Sequence, residues 1–292
     1  SSFTTSANNA DITLNNTNAF TGAVALNTTG SSGHATVVDA SGLNLGSSTV
    51  GGNLIATATT GNMTDSGALA ISGTSSFTTS ASGADITLNT TTNAFTGAVA
   101  LNTTGSQWNN ASERGDATID GGTTALDIAA STVGGILSLR SGNASGITDS
   151  GTVTVGNWFV ATTDDNNGVI TLDSLAVDAG IHLNTHGTGN ATAVNDVSFL
   201  FGGGGSTVGG NLSATATTGN MTDNNDGSVT VAGTSSFTTS ANNATITLDD
   251  TDHAFTGAVS LNTTGSSAHA TVIDTSGLNL AASTVGGNLI AT

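Results

Sequence analysis

Ala19-Phe20-Thr21-Gly22-Ala23-Val24-Ala25-Leu26-Asn27-Thr28-Thr29-Gly30 recurs letter for letter from Ala94 to Gly105. It returns from Ala254 to Gly265 with Ser260 as the one change. A motif repeated at a fixed spacing is stabilised mainly by its neighbours, so it decides the architecture before local propensity does. Anchors outside the motif set the period. Phe3, Phe77, Phe159 and Phe237 read as one column, with steps of 74, 82 and 78 residues; Val50, Val133, Val208 and Val285 read as another, with steps of 83, 75 and 77. The chain thus reads as one continuous segment, 1–292, of units near 1–74, 75–156, 157–234 and 235–292, the last cut short.

Each unit subdivides. The openings Phe3, Val24 and Leu54, followed by Phe77, are 21, 30 and 23 residues apart, and short apolar/polar alternations such as Asp11-Ile12-Thr13-Leu14 and Ala35-Thr36-Val37-Val38 follow them. Alternation over four to six residues means half-buried strands, and the Gly, Asn, Ser and Asp clusters between them mean turns. Three strands in 20–30 residues is the rhythm of a parallel β-helix coil. The expected fold is all-β, with about three coils per repeat and roughly 11–12 coils in all; at about 4.8 Å per coil this gives a rod of roughly 55 Å. Val24, Leu26, Ile12 and Leu14 face inward. Asn27, Asn102, Asn184 and Asn262, and likewise Asp39, Asp120, Asp196 and Asp274, form polar columns that cap turns.

Composition narrows the partners. The only basic side chains are Arg114 and Arg140, Glu113 is the lone glutamate, and the net charge is −18. So acidic a surface repels nucleic acid and anionic lipid, and no run of about 20 apolar residues is present to span a membrane. Without cysteine, stability must come from stacking. Leu289-Ile290-Ala291-Thr292 repeats Leu54-Ile55-Ala56-Thr57 in all four letters, which reads as an internal segment of a longer repeat protein.

The block Gly52 to Asp65, returning at Gly210 to Asp223, resembles the repeats of bacterial filamentous haemagglutinin-type exoproteins. Gly73 to Ala81, Gly233 to Ala241 and Ala-Phe-Thr-Gly-Ala-Val carry the same resemblance. It implies a right-handed parallel β-helix exported across a Gram-negative outer membrane and kept at the cell surface. It also implies a role in adhesion or biofilm.

Repeated positions are scaffold, so chemistry is sought where the repeat is broken. The clearest break is Ser106-Gln107-Trp108-Asn109-Asn110-Ala111-Ser112-Glu113-Arg114-Gly115. Trp108, Asn109, Asn110, Glu113 and Arg114 form a candidate partner-binding loop, with Trp108 able to stack on a sugar ring or anchor a protein. The turns Asp223 to Gly227, Asp164 to Gly168 and Asp249 to Asp252 offer carboxylates for weak calcium binding. The full EF-hand loop and the calcium β-roll repeat are both missing, and these are also ordinary turn residues. His182 and His186 lie roughly 13 Å apart on a strand, too far to share an ion; with His34 and His269 they read as solvated. Phe199-Leu200-Phe201 reads as a core strand in preference to an exposed association stripe. No catalytic constellation is seen, and no cofactor or metal is required. The expected function is a non-catalytic, secreted, cell-surface adhesin stalk that meets a host or neighbouring-cell glycan or protein. A self-associating extracellular filament is the alternative, and a polysaccharide-acting β-helix enzyme a more distant one.

Overall fold

In the computed structural model, which describes residues 1–105, 113–224, 227–275 and 277–292, the chain is all-β. Its parallel strands stack into a β-solenoid of about 13 turns. Two compact units are present, Ser1–Asn157 and Trp158–Thr292.

In the first unit one turn runs through Leu54–Ala58, Met63–Asp65 and Leu69–Ile71. The next strand, Ser75–Ser82, lands on Leu54–Ala58 with Ser75 opposite Leu54 and Phe77 opposite Ala56. Each turn therefore has three sides, and each side is a parallel ladder. The alternation seen in the sequence sets which residues point in. Leu54, Ala56 and Ala58 are buried while Ile55 is 48% exposed, as a period of two requires. Val24, Leu26 and Ile12 are buried, and Leu14 is half-buried. Aromatic rings brace the interior edge to face: Phe77 meets Phe95 at 5.9 Å, and in the second unit Phe237 meets Phe255 at 5.6 Å. Phe199 and Phe201 are fully buried, which makes their strand core.

The repeat is longer than three turns. Phe3 pairs with Leu26, Asn27 with Thr49, and Val50 with Ile71, which completes three turns on one side. The chain then passes to the next side before it reaches Phe77. The second unit repeats this path: Phe159–Asn166, Gly180–His186, Ser206–Val208 and Val229–Val231 stack in order. Ser235–Asn242 then joins Leu212–Ala216 on the adjoining side. The expected three coils per repeat, and 11–12 in all, fall short because the 30-residue step from Val24 to Leu54 holds more than one turn. Leu43–Leu45 and Ser48–Val50 lie on two different sides there.

Register also corrects the phenylalanine column. Thr78 pairs with Asn102 and Thr162 with Asn184, so the counterpart of Phe77 is Ala161, and Phe159 occupies the place of Ser75. Nor do the four asparagines stack on one another. Asn27 lies between Thr4 and Thr49, Asn102 between Thr78 and Thr132, Asn184 between Thr162 and Thr207, and Asn262 between Thr238 and Thr284.

Candidate functional site

Corners are where this fold places its polar chemistry, because a turn leaves backbone N–H and C=O groups that need partners. A buried threonine closes many of them. Thr28 donates through Oγ1 to the Gly33 carbonyl, Thr79 to Ala84, Thr163 to Gly168 and Thr263 to Ala268, each five residues on. Thr103 makes the same bond to Gly115, twelve residues on. The break in the second repeat is therefore an insertion of seven residues (12 − 5) that leaves its corner closed. Trp108, Asn109 and Asn110 lie outside the described residues. Glu113 is exposed at the foot of the insertion. Arg114 donates through Nη2 to Asp116 Oδ2 at 3.3 Å and pairs its backbone with Gly83.

Asparagine and histidine side chains staple one turn to the next. Asn53 Oδ1 accepts from the Thr74 N–H at 3.0 Å, and Asn211 Oδ1 accepts from Thr234 at 2.8 Å. His34 and His269, half-buried and exposed, each accept through Nδ1 from a backbone N–H, those of Asn53 and Asn288. Asn9, Asn167 and Asn243 hold positive φ, which asparagine tolerates, and reach forward to Ser32, Thr188 and Ser267. The Asp164 to Gly168 turn is one of these stapled corners. Asp39, fully buried, takes the N–H groups of Phe20 and Ser41, and Asp120 and Asp274 take those of Gly122 and Phe255. The expected turn-capping role of these aspartates is met.

The most acidic place is a cleft of about 290 Å³ in the second unit, lined by Asp223, Asn224, Asp249, Asp250, Thr251 and Asp252. Asn225 and Asp226 of this turn lie outside the described residues. Behind the cleft, His253 (0% exposed) and Asp223 (3%) meet at 2.6 Å from Nε2 to Oδ2. The Val229 N–H donates to His253 Nδ1 at 2.9 Å. A backbone amide can only donate, so Nδ1 keeps its lone pair, and Nε2 carries the proton it gives to Asp223. Burial raises the Asp223 pKa, but the hydrogen bond from His253 and the backbone N–H of Asp250 outweigh it and hold the carboxyl below its ordinary value.

In the first unit Asn93 does the same work. Its Nδ2 donates to Asp65 Oδ2 at 2.7 Å, and its Oδ1 accepts from Leu69 at 2.9 Å. The column Asn18, Asn93, His253 ahead of Phe20, Phe95 and Phe255 was the available signal for this pair. Among the described residues, no three His, Asp or Glu side chains gather to hold a metal ion.

His182 departs from expectation. It is 8% exposed and packs edge to face on Trp158 at 5.4 Å, whereas His186 is exposed. Gly202 to Gly205 lie against the pair. A Cβ added at Gly203 would stand 2.6 Å from the indole, and one at Gly204 would stand 3.5 Å from the imidazole. Neither this pair nor the cleft presents a nucleophile beside a free acid or base.

Comparison with curated proteins and with solved structures finds no match. A family model matches residues 32–102 and 187–262, half of the chain, and the protein belongs to that family, described as repeats of unknown function (DUF5649).

Proposed function

We propose that this chain is a non-catalytic segment of a secreted, cell-surface rod: the stalk of a filamentous haemagglutinin-type adhesin of a Gram-negative bacterium. Its partner is a surface glycan or protein. The observation that carries the reading is the use made of polar groups. Asp39, Asp120, Asp223 and Asp274, the stapling asparagines, and His34, His253 and His269 are bonded to the backbone or to one another. Such side chains build a scaffold and are not at liberty to transfer protons to a substrate. The seven-residue insertion, closed at its base by Thr103, is the place where the scaffold carries an addition. Among the described residues no helix is long and apolar enough to cross a membrane.

The test joins electron microscopy of the purified chain with glycan-array and cell-binding assays. Single elongated particles, with binding reduced about tenfold or more when Trp108, Glu113 and Arg114 are all changed to alanine, support the reading. Regular fibres would move the assignment to an extracellular filament. New reducing ends or unsaturated products from a polysaccharide panel would move it to an enzyme.

A further inference from the structure

The third repeat carries a feature its counterparts lack. Two residues separate Leu45 from Ser48, and two separate Ile128 from Ser131, but four glycines separate Phe201 from Ser206. Gly203, Gly204 and Gly205 hold φ of 60°, 126° and 78°, which side-chain-bearing residues rarely adopt. The side chains beneath are changed as well. Asn102, Asn184 and Asn262 mark one repeat position, so His182 stands where the other copies have Ala100 and Ser260. Trp158 precedes the neighbouring strand, and Gly180 leaves room for it, since a Cβ there would fall 2.1 Å from the indole. A large ring, an imidazole and a two-residue lengthening thus occur together at one place.

The imidazole is enclosed on terms that suit only its neutral form. Nε2 is buried and has no hydrogen-bond partner. A neutral ring can place a lone pair there, but a protonated ring must put an N–H and a share of positive charge in that position. The geometry points to a proton-operated flap: residues 202–205 close over Trp158 and His182 while the imidazole is neutral, and lift to expose the indole when it takes a proton.

Charged groups around the ring do not oppose this. Asp164 and Asp165 lie toward the far end of the neighbouring strand, where Asn166 pairs with His186. The loop itself and the strands Phe199–Phe201 and Ser206–Val208 carry no titratable group. Asp223, opposite Phe201, is taken by His253. Burial, with no charge named beside it, lowers the His182 pKa below its ordinary value. The closed state is therefore fully favoured above the ordinary histidine value of about 6.5, and its advantage shrinks as pH falls from there to the depressed value. This device is independent of what the chain binds.

The chain has two tryptophans, so Trp108→Phe leaves emission from Trp158 alone. Acrylamide quenching of that variant is expected to rise about twofold or more between about pH 8 and about pH 5. The midpoint should coincide with the His182 titration followed by NMR and lie below 6.5. Adding His182→Gln should hold quenching at its low value throughout. Adding Gly203→Ala, which drives a Cβ into the indole, should give high quenching at every pH with the strand signal in circular dichroism unchanged. A flat profile overturns the proposal, as does a step that survives His182→Gln. So does a His182 midpoint above 6.5, which would mean that the cation rests favourably on the indole face.

Discussion

Replacing His253 separates a hydrogen-bonding role from a merely space-filling one. In His253→Leu the buried Val229 N–H loses its acceptor, at about 1–3 kcal/mol, and the Asp223 carboxylate loses a charge-assisted bond of about 1.5–3 kcal/mol. Asp223 keeps the Asp250 N–H at 2.9 Å, and leucine restores apolar contact. The lower part of each range therefore applies, for a total of about 3 kcal/mol. His253→Asn should behave differently, because Asn93 already satisfies Asp65 and Leu69 with the same donor and acceptor in the first unit. Its cost is about 1 kcal/mol, from lost packing on Phe255, whose ring lies 5.6 Å away. Guanidinium unfolding followed by circular dichroism gives both differences. Exchange of the Val229 amide reads the local effect, with protection falling about 100-fold in the leucine variant and less than tenfold in the asparagine variant. If asparagine proves as damaging as leucine, the donor–acceptor account of this residue is wrong.

Acid provides a related check. The folded pKa of Asp223 is depressed, so its stabilising contribution is complete above the unfolded value near 3.9 and disappears as pH falls through the folded one. Thermal melts between about pH 5 and about pH 2 should therefore lose less stability in Asp223→Asn than in the wild type. Register is testable by cross-linking: Thr57 and Thr78 are Cα partners, about 4.8 Å apart and within disulfide range. Thr57→Cys with Thr78→Cys should lose its free thiols on oxidation, whereas Thr4→Cys with Thr78→Cys, a repeat-related pair on different sides, should keep them. At Asn243, φ is 63°; Asn243→Ala is expected to cost about 1–2 kcal/mol in denaturant melts, and Asn243→Gly only a few tenths.

How far the sequence could be read follows from what each feature depends on. Strand identity depends on alternation, a local property, and Leu54-Ile55-Ala56-Thr57-Ala58 displays it plainly. Register depends on bonds between residues more than 20 positions apart, so matching letters misled. Phe159 looks like Phe77, but the corner bond from Thr163 to Gly168, matching Thr79 to Ala84, shows a shift of two. That spacing was present in the sequence and was the better guide. The Asp223–His253 pair spans 30 residues, which no reading of one turn reaches. His182 was read as solvated because its strand position faces outward. It is buried by four glycines that come twenty residues later.

The extra third of a turn in each repeat bears on how such a solenoid meets a partner. Were a repeat three turns, identical letters would stack along one side and form a stripe of like side chains. With three turns and a further side, the strand that opens at Ser2 and the strand that opens at Ser75 lie in different sheets of the first unit. The neighbours of Phe77 are then Ala56 and Leu101, not another copy of itself. A periodic sequence thus builds a ladder that is aperiodic along any one side, and a surface that must match a periodic lattice has no continuous stripe to use. Recognition along the flank then falls to features that occur once. The first unit has one in the insertion closed by Thr103, and the second has one in Trp158 and His182 under their glycines.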